Sequence, residues 1–453
     1  MNLELAKKEE NTKSKKLAKK VENSLNRIRC SGLNAFISIN DRAIGEAKEI
    51  SANDSSNSLY GMTFAIKDNI MVKDMPATCA SKMLEHFIAP YDATAVKLLK
   101  QNGAIILGKN NMDEFGMGSS NEYSYFGPCK NPIAESYVPG GSSGGSAASV
   151  AAGLVDITLG SDTAGSVRQP AALCGICGFK PSYGRISRYG LTAFASSLDQ
   201  IGIMAKTPEE IIEIFSILDT VDRNDATMIE FPKDKAKIQN PKIAVLSNSF
   251  DEYVNKNIQS MMRDKIADLK KNGIIVDIIN FSHFDRLLPI YHIISTAEAS
   301  SNLARFDGIR YGYRSKNALD IEKLYIKNRS EGFGDEVKRR IMLGTFVLSK
   351  NAKKQYYINA LRARRFIKLK VLKIFKKYDF IINPTTAELF FEFGKKDPIQ
   401  MYNSDRFTVM ANLVDSPAIS MPIKRLGKLG VSLHIMSKPG NDYGLLDFAK
   451  TLI

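Results

Sequence analysis

Tryptophan is absent from the 453-residue sequence, and cysteine is scarce. The five cysteines are an odd number without framework spacing, which is typical of reduced thiols and argues against a disulfide scaffold. They are Cys30, Cys79, Cys129, Cys174 and Cys177. Cys174 and Cys177 form one C-x-x-C pair, but no second pair follows at the spacing of a zinc site. We predict that this pair is buried and that the chain binds no metal.

Long apolar runs are missing as well. No segment approaches the roughly 18 apolar residues of a membrane-spanning helix, and the lysine-rich N-terminus lacks the apolar core of a secretory signal. With 44% hydrophobic and 25% charged residues, the composition is that of a folded globular protein. We expect a cytoplasmic protein without membrane contact.

Positive charge dominates, with a formal net charge of +15. A basic surface can bind nucleic acid, because contacts with phosphates release counterions. Lysines are spread along the whole chain, however, and we favour an ordinary solvated surface. The run LRARRFIKLKVLKIFKKYDF, residues 361–380, has a dense cationic face for which a membrane or tRNA contact is the alternative. There too we favour a helix that packs on the core and exposes a solvated back.

The apolar periodicity predicts an α/β protein. Leu17, Val21, Leu25 and Ile28 recur at helical spacing before Gly32, which predicts a helix with a glycine C-cap. The runs NAFISIN and ITLG predict strands, and TAVKLLKQNGAIILGKNN predicts a helix, a glycine turn and a buried strand. Strand-like runs return late in the chain, in NLVDSPAISMPI and GVSLHIM.

Two loops rich in glycine and serine stand out, PGGSSGGSAA (139–148) and SDTAGS (161–166). Both adjoin apolar segments, so a flexible linker is the less favoured interpretation. The first loop places Ser142 in a G-x-S-x-G order, but the nucleophile elbow of α/β-hydrolases needs an apolar strand before it and a catalytic histidine. The preceding AESYVP is polar and ends in proline. The four histidines, none with obvious catalytic character, are His86, His283, His292 and His434.

The second loop resembles the D-T-G-S of aspartic proteases, with Asp162 as the candidate carboxylate. One extra residue breaks the match, and no second copy supplies the aspartate that would share a proton. Glycine patterns that bind phosphates or dinucleotides are also absent. Without a histidine, a serine nucleophile needs another base, and a neutral lysine can serve.

Lys67 is the candidate base. It ends an apolar strand, where burial disfavours the charged ammonium, and lowering its pKa from about 10.4 to about 7 takes about 5 kcal/mol. Asp68 would oppose this only on the same side of the strand, and alternation directs it to the other side. A snorkelling surface lysine is the competing interpretation. On these grounds Ser142 and Ser166 remain rival nucleophiles.

Lys67, PGGSSGGSAA and SDTAGSVRQPAALCG together resemble the amidase signature family. Longer runs, such as KNNMDEFGMGSSNEYSYFGPCKNP, are most similar to the branch formed by glutaminase subunits of tRNA-dependent amidotransferases. The resemblance implies an α/β fold with a central mixed sheet covered by helices on both faces. We expect one domain over residues 1–453, made of an N-terminal helical segment (1–32), a signature core (60–225), a helical peripheral layer (226–400) and a C-terminal return to the sheet (401–453).

The same resemblance implies a Ser-Ser-Lys triad. Ser166 would attack the side-chain amide of glutamine, Ser142, expected to carry a cis peptide bond, would pass the proton, and Lys67 would receive it. The backbone amides of residues 163–165 precede the nucleophile and suit an oxyanion-binding nest. These residues are Thr163, Ala164 and Gly165.

Recognition of an amino acid needs a cation for its α-carboxylate and an anion for its α-amine. By resemblance these positions fall on Arg340 and Asp405, with Tyr291 beside them. One departure concerns the family pattern D-T-G-G-S, in which a glycine stands where this chain has Ala164. If that position required a positive φ, alanine would cost about 1 kcal/mol or more.

The resemblance to this branch also implies partners. We expect a heterotrimer with subunits B and C, in which glutamine supplies ammonia for the conversion of Glu-tRNA(Gln) to Gln-tRNA(Gln). We expect no cofactor in this chain, since ATP and magnesium would be used by the partner subunit that holds most of the tRNA. Two alternatives stay open: a free-standing amidase acting on a small amide, and a catalytically weakened scaffold that binds RNA or partner proteins.

Overall fold

The computed structural model describes residues 2–50, 57–233, 238, 240–317, 320–426 and 429–452. Its α-helices are α1 (Asn2–Cys30), α2 (Ala43–Glu49), α3 (Thr94–Gln101), α4 (Gly144–Ala151), α5 (Arg168–Cys174), α6 (Pro208–Leu218), α7 (Lys256–Lys271), α8 (Leu287–Asn302), α9 (Ile321–Gly332), α10 (Asp335–Leu348), α11 (Asn359–Ile374), α12 (Pro398–Tyr402), α13 (Val409–Leu413) and α14 (Asp442–Lys450). Its strands are β1 (Phe36–Ile39), β2 (Thr63–Lys67), β3 (Ile105–Asn110), β4 (Ile157–Asp162), β5 (Cys177–Lys180), β6 (Gln200–Ala205), β7 (Lys242–Leu246), β8 (Ile275–Ile279), β9 (Phe380–Pro384), β10 (Ala418–Leu426) and β11 (Leu429–Ser437).

These strands form one mixed sheet in the order β1-β3-β2-β4-β6-β5-β10-β11-β9-β7-β8. Strand β2 runs parallel to both β3 and β4. From β4 to β9 the neighbours are antiparallel, and β9, β7 and β8 are again parallel. The predicted mixed α/β sheet is confirmed.

Helices cover both faces of the sheet because successive strand residues point to opposite sides. Phe64 and Ile66 of β2 belong to the larger core, together with apolar residues of α3 and α6. Ala65, between them, belongs to a second core with residues of α1 and α4. The strand is buried along its whole length, which explains its continuous apolar run.

Most of the local predictions are confirmed. Leu17, Val21, Leu25 and Ile28 are buried on α1, and Gly32 after the helix has a φ of +62°. The run NAFISIN contains β1, and ITLG forms the first four residues of β4, which continues to Asp162. The predicted helix and strand are α3 and β3, joined by the predicted turn.

Two segments differ from the expectation. The range 226–400 is not only helical, because it also contributes β7, β8 and β9 to one side of the sheet. In the late run NLVDSPAISMPI the first residues end helix α13, and β10 begins only at Ala418. The division of the domain into four segments stays a prediction.

The parallel strands position the candidate site. Because β2, β3 and β4 point the same way, the loops that follow them meet at one edge of the sheet. Lys67 ends β2, and the turn with Ser166 follows β4. Across the described ranges, no helix has the length and apolar character needed to span a membrane.

Candidate active site

Lys67 is fully buried at the end of β2. Its amine Nζ donates a hydrogen bond of 2.7 Å to Oγ of Ser142 and one of 3.3 Å to the carbonyl oxygen of Ser161. The lysine thus contacts a serine hydroxyl, and the competing interpretation of a snorkelling surface lysine is wrong.

Burial lowers the pKa of Lys67 from 10.5 to about 7, although Asp113, Asp162 and Asp199 act in the opposite direction. Asp68, the next residue in the chain, points away, and its Oδ1 lies 3.4 Å from Nζ of Lys109 in a second buried pair. The expected alternation along the strand is therefore confirmed. Near neutral pH the amine of Lys67 can accept a proton from the Ser142 hydroxyl.

The loop with Ser142 is fixed to its surroundings through the backbone. The Gly141–Ser142 peptide bond is cis, as the resemblance implied. The Ser142 carbonyl oxygen accepts a hydrogen bond of 3.1 Å from the amide of Asp113. The amide of Ser143 donates one of 3.2 Å to the carbonyl oxygen of Ser166. These bonds hold the loops of the two predicted serines side by side.

The turn with Ser166 rests on a buried ion pair. Asp162 accepts hydrogen bonds from both Nη2 (2.8 Å) and Nε (3.0 Å) of Arg168, so the pair spans the turn. Burial would raise the pKa of Asp162, but the guanidinium holds it at about 2. Nη1 of Arg168 lies 2.7 Å from Nε2 of His434, whose pKa burial lowers well below its usual value. His434 is thus a neutral structural partner.

Three residues form the turn before Ser166. Oγ1 of Thr163 donates a hydrogen bond of 2.7 Å to Oδ1 of Asp199. In the described part of the chain, the backbone amides of Thr163, Ala164 and Gly165 have no acceptor. The described non-glycine residues with positive φ do not include Ala164, so alanine is unstrained there. The oxyanion role of these amides stays a prediction.

Asp405 approaches the same turn from a distant part of the sequence. A Cβ on Gly165 would overlap Oγ1 of Thr408 and lie 2.7 Å from Oδ1 of Asp405. Oδ2 of Asp405 accepts a hydrogen bond of 2.8 Å from Oγ of Ser119, whereas the buried Oδ1 has no hydrogen-bond partner among the residues described. Burial raises the pKa of Asp405 to about 7.

Tyr291 on α8 and Arg340 on α10 lie in the same buried region. The charges of Arg340 and Asp405 both act on the Tyr291 hydroxyl, whose pKa burial raises. Nε of Arg340 donates a hydrogen bond of 2.8 Å to Oε1 of Glu336, and this carboxylate raises the pKa of Arg340 against the effect of burial. The structure thus brings the three predicted substrate residues together, and their binding roles stay predictions.

Two buried carboxylates of the site were missed by the sequence analysis. Burial raises the pKa of Asp113 and of Asp199 to about 6, and both charges act on Lys67. Asp113 accepts hydrogen bonds from the amides of Asn121 and Tyr123. The run MDEF contains Asp113, but nothing in it predicts which of its two carboxylates faces the lysine.

The C-x-x-C pair does not belong to this site. Cys174 ends α5, Cys177 begins β5, and both are buried as predicted. Burial raises the pKa of Cys177 to about 12 and the pKa of Cys174 well above its ordinary value. Over the residues that the structure describes, no cluster of three or more potential metal ligands occurs.

Known proteins share both the sequence and the fold. A family model described as Amidase matches residues 19–446. The A subunit of glutamyl-tRNA(Gln) amidotransferase from Legionella pneumophila (strain Corby) is 47% identical over 441 residues, which cover 94% of this chain and 91% of that protein. The corresponding A subunit from Sulfurisphaera tokodaii is 47% identical over 421 residues, 91% of this chain and 89% of the relative.

Solved structures give the same picture. The crystal structure of the A subunit of glutamyl-tRNA(Gln) amidotransferase from Thermotoga maritima is 37% identical with a TM-score of 0.80, covering 96% of this chain and 90% of the other. An allophanate hydrolase from Kluyveromyces lactis is 26% identical with a TM-score of 0.81, covering 97% of this chain and 70% of the other.

Labelling of Ser166 tests whether Lys67 acts as a neutral base. We expect its sulfonylation by a small sulfonyl fluoride, measured by mass spectrometry from pH 5 to pH 10, to fall about tenfold per unit below pH 7, because the amine is then protonated. Above pH 7 the rate reaches a plateau. Lys67→Arg, which stays charged, should label slowly at every pH. A wild-type rate that keeps rising up to pH 10 would contradict a base with a pKa of about 7.

Gly165→Ala tests the close packing of the turn. The added methyl group collides with Thr408 and Asp405, so we expect labelling of Ser166 to slow at least tenfold and the free energy of unfolding to fall by about 1–3 kcal/mol. Ala164→Gly is the matched control and should change either quantity little. The double variant Gly165→Ala/Thr408→Ala removes the nearest clash and should recover part of the loss; equal behaviour of Gly165→Ala and the control would refute this packing.

Proposed function

The chain belongs to the amidase family, and within that family we propose that it is the glutamine-hydrolysing subunit of a tRNA-dependent amidotransferase. Support comes first from the relatives, which bear the name of this subunit and align over almost their whole length. The observation that carries the proposal is a buried serine–lysine pair near a turn on which the Asp405 carboxyl group packs, with the guanidinium of Arg340 in the same buried region.

The first half of the proposed reaction forms an ester. Oγ of Ser166 attacks the side-chain carbonyl carbon of glutamine, its proton passes to Oγ of Ser142, and Ser142 gives its own proton to the neutral amine of Lys67. The carbonyl oxygen becomes an oxyanion, which the amides of the 163–165 turn, without an acceptor among the described residues, would stabilise. When the oxyanion collapses, the carbon–nitrogen bond breaks. Lys67 returns the proton through Ser142 to the leaving nitrogen, which departs as ammonia and leaves the glutamyl ester on Ser166.

The second half regenerates the enzyme. Water attacks the glutamyl ester on Ser166, and Lys67 again accepts the proton through Ser142. Glutamate leaves when the bond to Oγ of Ser166 breaks and the serine is reprotonated. Ammonia must stay unprotonated to act as a nucleophile, and it supplies the nitrogen to the partner that activates the tRNA.

The charged groups of glutamine are complementary to Arg340 and Asp405. Arg340 offers a guanidinium to the α-carboxylate, and Oδ1 of Asp405 offers an unoccupied acceptor to the α-amine. Desolvation makes both interactions stronger than they would be in water. A free-standing amidase for simple amides has no need of this pair, which favours an amino acid substrate.

We infer further that the chain acts in a cytoplasmic heterotrimer with subunits B and C. The names of the relatives support a multi-subunit enzyme and the substrate Glu-tRNA(Gln). ATP and magnesium would be used by the partner subunit that activates the tRNA.

Ammonium rescue tests the proposed function. In the complex with its partner subunits, Ser166→Ala should lose glutamine-dependent formation of Gln-tRNA(Gln) by at least a thousandfold, because no nucleophile remains. Added ammonium chloride should restore product formation, since it bypasses the glutaminase. Product made from glutamine by Ser166→Ala would support the scaffold alternative. Rapid turnover of other amides by the isolated wild-type chain, without product in the complex, would support a free-standing amidase.

Glu114 connects the triad to the helix that carries Arg340. Its Oε1 accepts a hydrogen bond from Oγ of Ser81, and its Oε2 accepts one of 2.8 Å from the amide of Gly334, the N-cap of α10. Asp113, the residue before it, is bonded to the loop of Ser142. The buried Glu114 is therefore a positioning residue for α10.

Glu114→Gln should raise the KM for glutamine about three- to tenfold and change kcat less than twofold, because one of the two accepted hydrogen bonds that join Glu114 to Ser81 and to the start of α10 is lost. Steady-state ammonia release measures both constants. Asp335→Asn removes an exposed charge from the same helical turn and serves as the control. With a primary amide that lacks an α-carboxylate, Glu114→Gln should behave like wild type; an equal loss with both substrates would exclude this role.

A further inference from the structure

Most of the chain's excess positive charge is concentrated in one short segment. Residues 350–378 contain eleven lysines and arginines and no aspartate or glutamate, whereas the formal net charge of all 453 residues is +15. The segment comprises the end of the turn after α10, a π-helical turn at Lys354–Ile358 and helix α11. A uniform excess of lysine along the chain does not produce this distribution.

Helix α11 separates its apolar and cationic residues. Ala360, Ile367 and Val371 are buried against the core, so one face of the helix is occupied by the protein itself. The opposite face has exposed residues at helical spacing, which run about 20 Å along the axis and its short extension. We call this the α11 outer face; its exposed members are Arg362, Arg365, Phe366, Leu369, Lys370, Lys373, Lys376 and Lys377.

Few of these cations have a carboxylate partner. Arg364 and Lys368, at the side of the helix, pair with Asp415, and Lys377 pairs with Asp277. Among the described residues, no ion pair is formed by the other eight cations of the segment, which are Lys350, Lys353, Lys354, Arg362, Arg365, Lys370, Lys373 and Lys376. Neighbouring like charges three or four residues apart repel one another and destabilise the isolated helix.

Helix α7 shows what an ordinary surface helix of this protein looks like. It is also rich in lysine, but Asp264 and Asp268 are interspersed, and Lys265 pairs with Asp268. Two aspartates thus offset part of the charge of α7, whereas α11 contains no acidic residue. An anionic partner would relieve the repulsion between the cations of α11. A helix that only faces solvent has no need of such a concentration of unpaired cations.

The exposed apolar residues decide between two kinds of anionic partner. A helix that lies on a membrane inserts a broad apolar face into the lipid, whereas the apolar face of α11 is already buried in the core. Only Phe366 and Leu369 are large, apolar and exposed on the outer face, and Nζ of Lys370 lies 5.1 Å from the ring centre of Phe366. The ring also packs edge-on against His283, with 5.1 Å between the ring centres, and 45% of Phe366 stays exposed. An exposed aromatic ring among cations is typical of RNA-binding surfaces.

We propose that the α11 outer face binds the phosphate backbone of the tRNA on which the amidotransferase acts. This inference rests on the proposed function, because that function supplies the RNA. Such contacts are independent of sequence and strongly dependent on salt, and they hold the substrate without reading its bases.

A triple variant that replaces three cations by glutamine tests the proposal in the full complex. Arg365→Gln/Lys370→Gln/Lys373→Gln removes three cations from the α11 outer face, and Lys256→Gln/Lys270→Gln/Lys271→Gln removes three exposed cations from α7 as the matched control. Binding of tRNA(Gln) transcript is measured between 50 and 200 mM salt, together with the KM for Glu-tRNA(Gln) and the glutaminase kcat without tRNA.

We expect the α11 variant to bind tRNA at least tenfold more weakly near 100 mM salt, with the slope of log K against log salt reduced by about 2 to 3. The glutaminase kcat of the α11 variant should equal that of the wild type. The α7 variant should equal the wild type in tRNA affinity, salt slope and glutaminase kcat. Equal tRNA affinity and slope for the two variants would overturn the proposal. So would loss of binding to vesicles containing phosphatidylserine with unchanged tRNA binding. A wild-type complex that forms no Gln-tRNA(Gln) contradicts the proposed function instead, whereas the binding comparison still decides the role of α11.

Discussion

The buried amine of Lys67 is the constraint on which the candidate site depends. A lysine loses its proton near neutral pH only where water is excluded, yet an unsatisfied polar group in such a place is costly. The Ser142 hydroxyl and the Ser161 carbonyl oxygen satisfy the amine without placing a full negative charge against it. The nearest carboxylates act from a distance or are paired elsewhere, and Asp68 is turned toward Lys109. The lysine is therefore both hydrogen-bonded and able to act as a base.

Two parts of the fold make different contributions. The ends of the parallel strands β2, β3 and β4 position the residues of the proposed triad, and the buried pair of Asp162 and Arg168 spans the turn that holds Ser166. The later helices carry the charged groups that we propose to bind an amino acid substrate. Asp405 packs on Gly165 of this turn, and its carboxyl group accepts a hydrogen bond from Ser119. The residue proposed for recognition therefore lies against the turn proposed for the chemistry. Replacing either Asp162 or Arg168 would leave the other charge buried without a partner, which is strongly destabilising.

Sequence reasoning found the parts of the site that local pattern encodes. Lys67 is marked by the apolar strand before it, and Ser142 and Ser166 are marked by their small-residue loops. Sequence reasoning did not identify Asp113 and Asp199 as site residues. Their approach to Lys67 depends on how distant loops fold over the edge of the sheet, and the periodicity of the sequence does not predict this. Strands β7, β8 and β9 were missed for a related reason: they are short apolar runs between long charged helices, and their places in the sheet follow from long-range pairing.

The ionisation of Lys67 itself is the most direct test of a neutral lysine base. In Ser166→Ala protein with ¹³C-labelled lysine, the Cε resonance of Lys67 can be followed by NMR from pH 5 to pH 11 and assigned by its absence in Lys67→Arg. We expect a midpoint of about 7, set by burial against the opposing carboxylates. A midpoint near the ordinary lysine value of 10.5 would contradict the proposed base and the mechanism built on it.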